Sequence, residues 1–290
     1  MSSSPPPDAG PGVALLSTPG ARVEHLVTGS GEPVTIFAHG VGASIAETRP
    51  LGTGVPGTKI FLSLRGHGAT TVSDGRWDYA ALAGDLRAVA DATGATQALG
   101  VSMGAAALLH LLADDPDRFE RCVFFLPAVL DRPRSDLAFD RLQQMADLVE
   151  ADDAEGLSEL LLAELPAELR RDEGARRYTA QRARTLAGTD LAHLLRGLPP
   201  LTPIRDRAQL AAVRAPTLVV GQEGDDVHPA SVARELAAAL PGSALHVFPR
   251  DGAMWLDRGS LRALLAGFFG AATAGSVGQP AAAARVSGAR

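Results

Sequence analysis

Near the middle of the chain, Gly100-Val101-Ser102-Met103-Gly104 sets a serine between two glycines, each two residues away. A serine hydroxyl acts as a nucleophile when a sharp turn presents it, a base takes its proton, and N–H groups face the developing oxyanion. The spacing supplies the turn. "TQALGVS" reads as a strand, and "MGAAALLHLLADDP" as a helix that stops before Pro116. Strand, tight turn and helix are the context of a nucleophile elbow. Gly100 and Gly104 give the small flanking residues that the turn demands, and Ala105 to Ala107 keep the helix thin where it meets the sheet.

Two backbone donors are in place for an oxyanion. The Met103 N–H stands at the start of the helix, where amides lack intrahelical partners. "AHGVGAS" follows an earlier strand-like run, "PVTIFA", and its Val41 N–H is the second candidate. His39-Gly40 makes the turn that aims it.

The strings "HGVG", "LRGHG", "GVSMG" and "GQEGDDVHP", in this order and at these spacings, resemble the α/β-hydrolase fold. The resemblance covers about residues 20 to 270. It implies a triad that runs serine, acid, histidine along the chain. The acid follows the strand before the last, and the spacing to Pro229 resembles the family's D-x-x-V-P pattern, which favours Asp225. Asp226 suits the N-cap of the next helix, and Asp131 after "RCVFFLP" is a weaker acid candidate. Ser63 stands before "LRGHG" where the family often has Asp.

The family's histidine follows the last strand in a Gly-His pair. Here that segment is "HVFPRDGAMWLDR", with Gly252-Ala253 in its place. Losing one triad member costs on the order of 10⁴- to 10⁶-fold in rate. Met254 and Trp255 are expected to fill the space. Among the seven histidines, His228, three residues after Asp225, is the best-placed substitute base. His246 belongs to the last strand and should sit at the wrong end of the sheet. His110 lies about 12 Å down the helix from Ser102 at 1.5 Å per residue. His25 reads as structural, and His39 and His67 as loop-shaping. His193 falls in a helical insertion.

The elements that must position these residues alternate. Strand-like runs "ARVEHLV", "PVTIFA", "TKIFLSL", "TQALGVS", "RCVFFLP", "APTLVVG" and "SALHVFP" are separated by helical periodicity in "WDYAALAGDLRAVADATG", "HPASVARELAAALPG" and "DRGSLRALLAGFFG". Continuous apolar runs between helices predict a doubly wound, mostly parallel sheet of the α/β class. The core is expected over residues 13–130 and 209–270. Residues 131–208 read as helices and form a cap, with an apolar stripe of Leu137, Leu142, Met145 and Leu148. Residues 1–12 and 271–290 are rich in small residues without apolar periodicity and are expected to be disordered.

A net charge of −6 gives no basic face for nucleic acid. The single cysteine, Cys122, excludes an internal disulfide and a thiolate metal cluster. No metal or nucleotide motif is present; "GTGVPGTK" precedes a strand and lacks the phosphate-loop ending. No cofactor is expected. No apolar run reaches the roughly 18 residues of a membrane span, and "MSSSPPPDAGPG" lacks the pattern of a signal peptide. Cytoplasm is the expected location, and a small molecule the expected partner. The leading reading is a serine hydrolase of small ester-like or acyl substrates. The alternative is a non-hydrolytic member of the fold, a ligand-binding or lyase-like protein, because the usual histidine is absent.

Overall fold

The computed structural model describes residues 12–133 and 137–271. Both ends expected to be disordered fall outside these residues, except Gly12 and Ala271.

In chain order the elements are β1 (Val13–Ser17), β2 (Ala21–Thr28), β3 (Val34–Ala38), α1 (Ile45–Thr48), β4 (Thr58–Leu62), β5 (Thr71–Val72), α2 (Tyr79–Thr93), β6 (Gln97–Val101), α3 (Met103–Asp114) and β7 (Arg121–Phe125). Then come α4 (Leu137–Glu150), α5 (Ala154–Ala163), α6 (Glu173–Leu186), α7 (Leu191–Gly197), β8 (Thr217–Gln222), α8 (Ala230–Ala239), β9 (Ala244–Phe248), α9 (Ala253–Leu256) and α10 (Arg258–Gly270).

The sheet runs β1-β2-β4-β3-β6-β7-β8-β9, with β5 paired to β2. Strands β4, β3, β6, β7, β8 and β9 are parallel, while β1 and β2 add an antiparallel edge. Both faces are covered, so side chains alternate between two apolar layers. In β3, Ile36 and Ala38 join one layer and Phe37 the other; in β7, Cys122 and Phe124 oppose Val123 and Phe125. Phe37 stacks on Phe61 of β4 at 4.8 Å. Burial pushes the Cys122 thiol up, so it is an inert core atom.

Between β7 and β8 the described residues hold four α-helices and no strand. α5 packs on α6 and α4 on α7. Met145 is buried, Leu142 and Leu148 pack against the core, and the Leu137 side chain lies outside the described residues. β1, β5, α1, α7 and α9 have no counterpart in the sequence expectation. Four of these are short, with too few residues for a period to show. β1 is an exposed edge strand in a stretch interrupted by small residues.

A buried ion pair fixes the "LRGHG" loop to α2. Arg65 and Asp85 are each 2% exposed and pair through Nε–Oδ2 at 2.8 Å and Nη2–Oδ1 at 3.0 Å. Ser63 hydrogen-bonds Glu24 at 2.6 Å, and that carboxylate also accepts the Ala69 N–H.

Candidate active site

Ser102 sits between β6 and α3 with φ 49° and ψ −106°. Such a backbone costs on the order of 1–3 kcal/mol and persists only where neighbours enforce it. The Ser102 N–H donates to the Phe125 carbonyl at 3.0 Å, and the Gly104 N–H to His39 at 3.1 Å. A β-carbon on Gly100 would lie 2.4 Å from the Gly104 carbonyl oxygen, and one on Gly104 2.4 Å from that of Ala38. Both positions therefore require glycine.

The loop after β8 brings the other two groups. His228 Nε2 lies 2.9 Å from Ser102 Oγ, and His228 Nδ1 lies 2.9 Å from Asp225 Oδ2. One short loop thus carries acid and ring. Asp225 Oδ1 also accepts the N–H groups of Val227 and His228, each at 2.9 Å, and Oδ2 accepts Gln222 Nε2 at 2.6 Å. Burial opposes the charge on Asp225, but hydrogen bonds and the charge of His228, with the Gln222 amide, hold its carboxyl well below the usual range. A carboxylate that accepts from Nδ1–H leaves Nε2 free to accept the serine proton.

Asp226 does not cap α8. That helix begins after Pro229 without a side-chain cap, and Asp225 holds the turn instead. Asp131 is bound bidentately by Arg207 at 2.6 and 2.8 Å. This bond lowers its carboxyl to about 2, and it serves an ion pair rather than the site.

Gln222, 5% exposed at the end of β8, was not singled out by the sequence. Its Oε1 accepts the Ala253 N–H at 3.0 Å. That bond fixes which end of the amide faces Asp225, so Nε2 must point at the carboxylate. The Gly252-Ala253 loop therefore supports the acid and carries no base. Ala253 is 0% exposed, and a β-carbon on Gly252 would lie 2.4 Å from Pro166 of the cap. Trp255 turns instead to Tyr178, edge to face at 5.1 Å.

Two neutral histidines hold the loop after β3. His39 Nε2 accepts the Leu64 N–H at 2.9 Å, so its proton is on Nδ1, which donates to the Gly40 carbonyl at 2.7 Å. His67 Nε2 accepts the Gly42 N–H at 2.8 Å and Nδ1 donates to Arg65 at 3.0 Å. Burial lowers His39 to about 4 and, with the neighbouring His39 ring, lowers His67 to about 3. The Gly40 carbonyl also accepts the Ala43 N–H at 3.2 Å. In a trans peptide the N–H points opposite to the carbonyl, so these bonds turn the Val41 N–H the other way. The peptides on either side of Gly42 are pinned from the cap. Arg182 Nε donates to the Gly42 carbonyl at 2.6 Å and Nη2 to that of Val41 at 3.4 Å. Arg182 sits among many arginines, and nothing in the sequence marks it out.

The other histidines stand apart from Ser102. His110 donates to Pro203 at 2.7 Å, His193 stacks on Trp77 at 6.0 Å, His246 lies mid-strand beside Phe248, and His25 belongs to β2.

A cavity of about 310 Å³ opens over the site. Ser102 and His228 line it from the sheet side, and Leu142, Met145, Glu164 and Arg182 from the cap. Burial pushes the Glu164 carboxyl up, against the pull of Arg182, His228 and Arg141. Among the described residues no cluster of His, Cys, Asp and Glu has the arrangement of a metal site, and no helix is long and apolar enough to cross a membrane.

The chain belongs to the α/β-hydrolase fold family, whose model matches residues 33–257. Among solved structures, a hydrolase from Pseudomonas aeruginosa shares 24% identity at a TM-score of 0.72, covering 91% of this chain and 100% of that one. An esterase from Exiguobacterium antarcticum shares 18% at 0.71, covering 89% and 99%. A carboxylesterase from Bacillus subtilis shares 16% at 0.73, covering 88% and 90%. No curated protein matches the chain.

Proposed function

We propose that the protein is a serine hydrolase of small carboxylic esters. Ser102 is the nucleophile, His228 the base and Asp225 its orienting acid. The observation that carries this reading is the pair of 2.9 Å hydrogen bonds that links Ser102 Oγ through His228 to Asp225. Ser102 Oγ attacks the ester carbonyl as His228 Nε2 takes its proton. The Val41 and Met103 N–H groups receive the oxyanion, and the start of α3 adds a favourable dipole. His228 then protonates the departing alcohol, and water repeats the sequence on the acyl-enzyme. The cavity, lined by apolar and a few charged side chains, suits a small ester. Two of the structural relatives are an esterase and a carboxylesterase, which agrees with this reading.

The non-hydrolytic alternative drew its force from the missing histidine after β9, and His228 weakens it. The test is hydrolysis of p-nitrophenyl acetate and butyrate by the protein, Ser102→Ala and His228→Ala. Activity lost in both variants, with a fluorophosphonate adduct mapped to Ser102, supports the reading. A wild type no faster than Ser102→Ala overturns it.

A further inference from the structure

A second cavity of about 350 Å³ lies beside the catalytic one. Its apolar walls come from Pro50 and Leu51 after α1 and from Met254, Trp255 and Leu261 of α9 and α10. The two cavities share Glu47, Tyr178, Met254 and Trp255, so they adjoin along these residues. Tyr178 and Trp255, packed edge to face, stand at this junction. Leu51 and Leu261 are buried at 2%, whereas Ala46, Pro50 and Arg258 are exposed and Arg262 is half-buried, so the cavity opens to solvent on that side.

The charges are unequally satisfied. Glu47 is held by Ser44 and by the Tyr178 hydroxyl. Arg258 donates to the Met254 carbonyl at 2.9 Å and covers the Trp255 ring at 5.0 Å. Arg262 has no hydrogen bond or ion pair among the described residues. A guanidinium beside an apolar chamber, with no acid of its own, matches a carboxylate arriving at the end of an apolar chain.

We propose that this cavity is a subsite for the distal part of the ester substrate, and that it takes an apolar acyl chain ending in a carboxylate. The substrate class is then the half-ester of a dicarboxylic acid. The inference rests on the hydrolase reading above: the ester carbonyl sits at Ser102, the chain runs past Trp255 where the cavities adjoin, and the free carboxylate meets Arg262.

The test compares monomethyl decanedioate with methyl decanoate, with p-nitrophenyl acetate as the short control. The expected result is a preference for the half-ester of about tenfold in kcat/KM, or about 1.4 kcal/mol. Arg262→Ala should abolish that preference and Arg262→Lys retain part of it. Ala46 lines the second cavity and not the first. Ala46→Phe should therefore lower both long esters about tenfold and leave acetate unchanged, because the ring occupies apolar surface that the chain would cover. Equal rates on the two long esters, or a chain-length profile unmoved by Ala46→Phe, would overturn the proposal.

Binding without turnover separates this proposal from the hydrolase reading. The chain has two tryptophans, so Trp77→Phe leaves Trp255 as the reporter. Decanedioate should quench Trp255 at lower concentration than decanoate, in wild-type and Ser102→Ala backgrounds alike. If acetate hydrolysis fails but this difference appears, the subsite stands and the chemistry falls. If acetate is hydrolysed and the two acids bind alike, the subsite falls and the chemistry stands.

Discussion

The loop after β8 and the loop after β9 leave the same edge of the sheet, yet they do different work. The first carries Asp225 and His228 toward Ser102. The second starts exposed at Pro249 and Arg250, lines the cavity with Gly252 to Trp255, and meets Asp225 only by way of the Ala253 N–H on Gln222. The difference follows from the strand order β6-β7-β8-β9. At a spacing of about 4.8 Å, the end of β8 is about 10 Å from the end of β6, and β9 one step further. A ring three residues after the acid can cover that distance. What a base needs is reach and an oriented tautomer, and neither specifies which loop provides it.

The sharpest way to break the comparison is to remove the ring. Ser102→Ala and His228→Ala should each lower kcat on p-nitrophenyl butyrate by on the order of 10⁴- to 10⁶-fold. A His228→Ala enzyme that keeps most of its rate would show that another base acts.

Next is the bridge between the loops. Gln222→Glu keeps the shape but replaces the donor to Asp225 with a like charge. kcat/KM should fall by about 10- to 100-fold, and the acid limb of its pH profile should move to higher pH, because added negative charge favours protonated His228. Gln222→Met should lose rate without that displacement. Identical pH profiles for the two variants would reduce Gln222 to a packing residue.

Arg182→Gln should lower kcat about tenfold and change KM less, about twofold, because one support of the loop after β3 is gone while the rest of the pocket wall remains. An effect carried by KM alone would assign Arg182 to binding.

Moving the histidine back is a smaller perturbation. Ala253→His should destabilise the protein by about 1–3 kcal/mol in urea unfolding, since the site is full, and should not restore rate to His228→Ala. Rescue would mean that the loop after β9 can still deliver a base.

The mildest test is acid. His39 and His67 are neutral in the fold, at about 4 and about 3 against an ordinary 6.5. Their pKa values are depressed by folding, so the stability they contribute is full above pH 6.5 and is lost as pH falls through about 4 and then 3. Thermal unfolding from pH 8 to 4 should show a flat Tm that declines below 6.5. A Tm that stays flat to pH 4 would mean that these rings are not held neutral.

Much of this arrangement was legible in the chain. Apolar runs between amphipathic segments announced a parallel sheet, because strands buried on both faces cannot alternate with polar residues. The elbow was legible because strain at Ser102 demands small neighbours at positions 100 and 104. Asp225 and His228 could be named from a loop at the correct edge. What stayed hidden were contacts between residues far apart in sequence. Gln222 ended an apolar run with an amide, a weak signal of a buried polar role. Arg182 looked like any arginine of a charged helix, and only the packing of the cap brings it onto the Gly42 carbonyl.

The sequence by itself determined the class of fold, the turn at Ser102 and the residue types available for chemistry, since these depend on local sterics and hydrophobic periodicity. The tertiary structure alone decided which of seven histidines faces Ser102, which amide turns on Asp225, and which cap side chain pins the loop after β3. Those are matters of distance across strands, set by strand order and the seating of the cap, to which a linear pattern is blind.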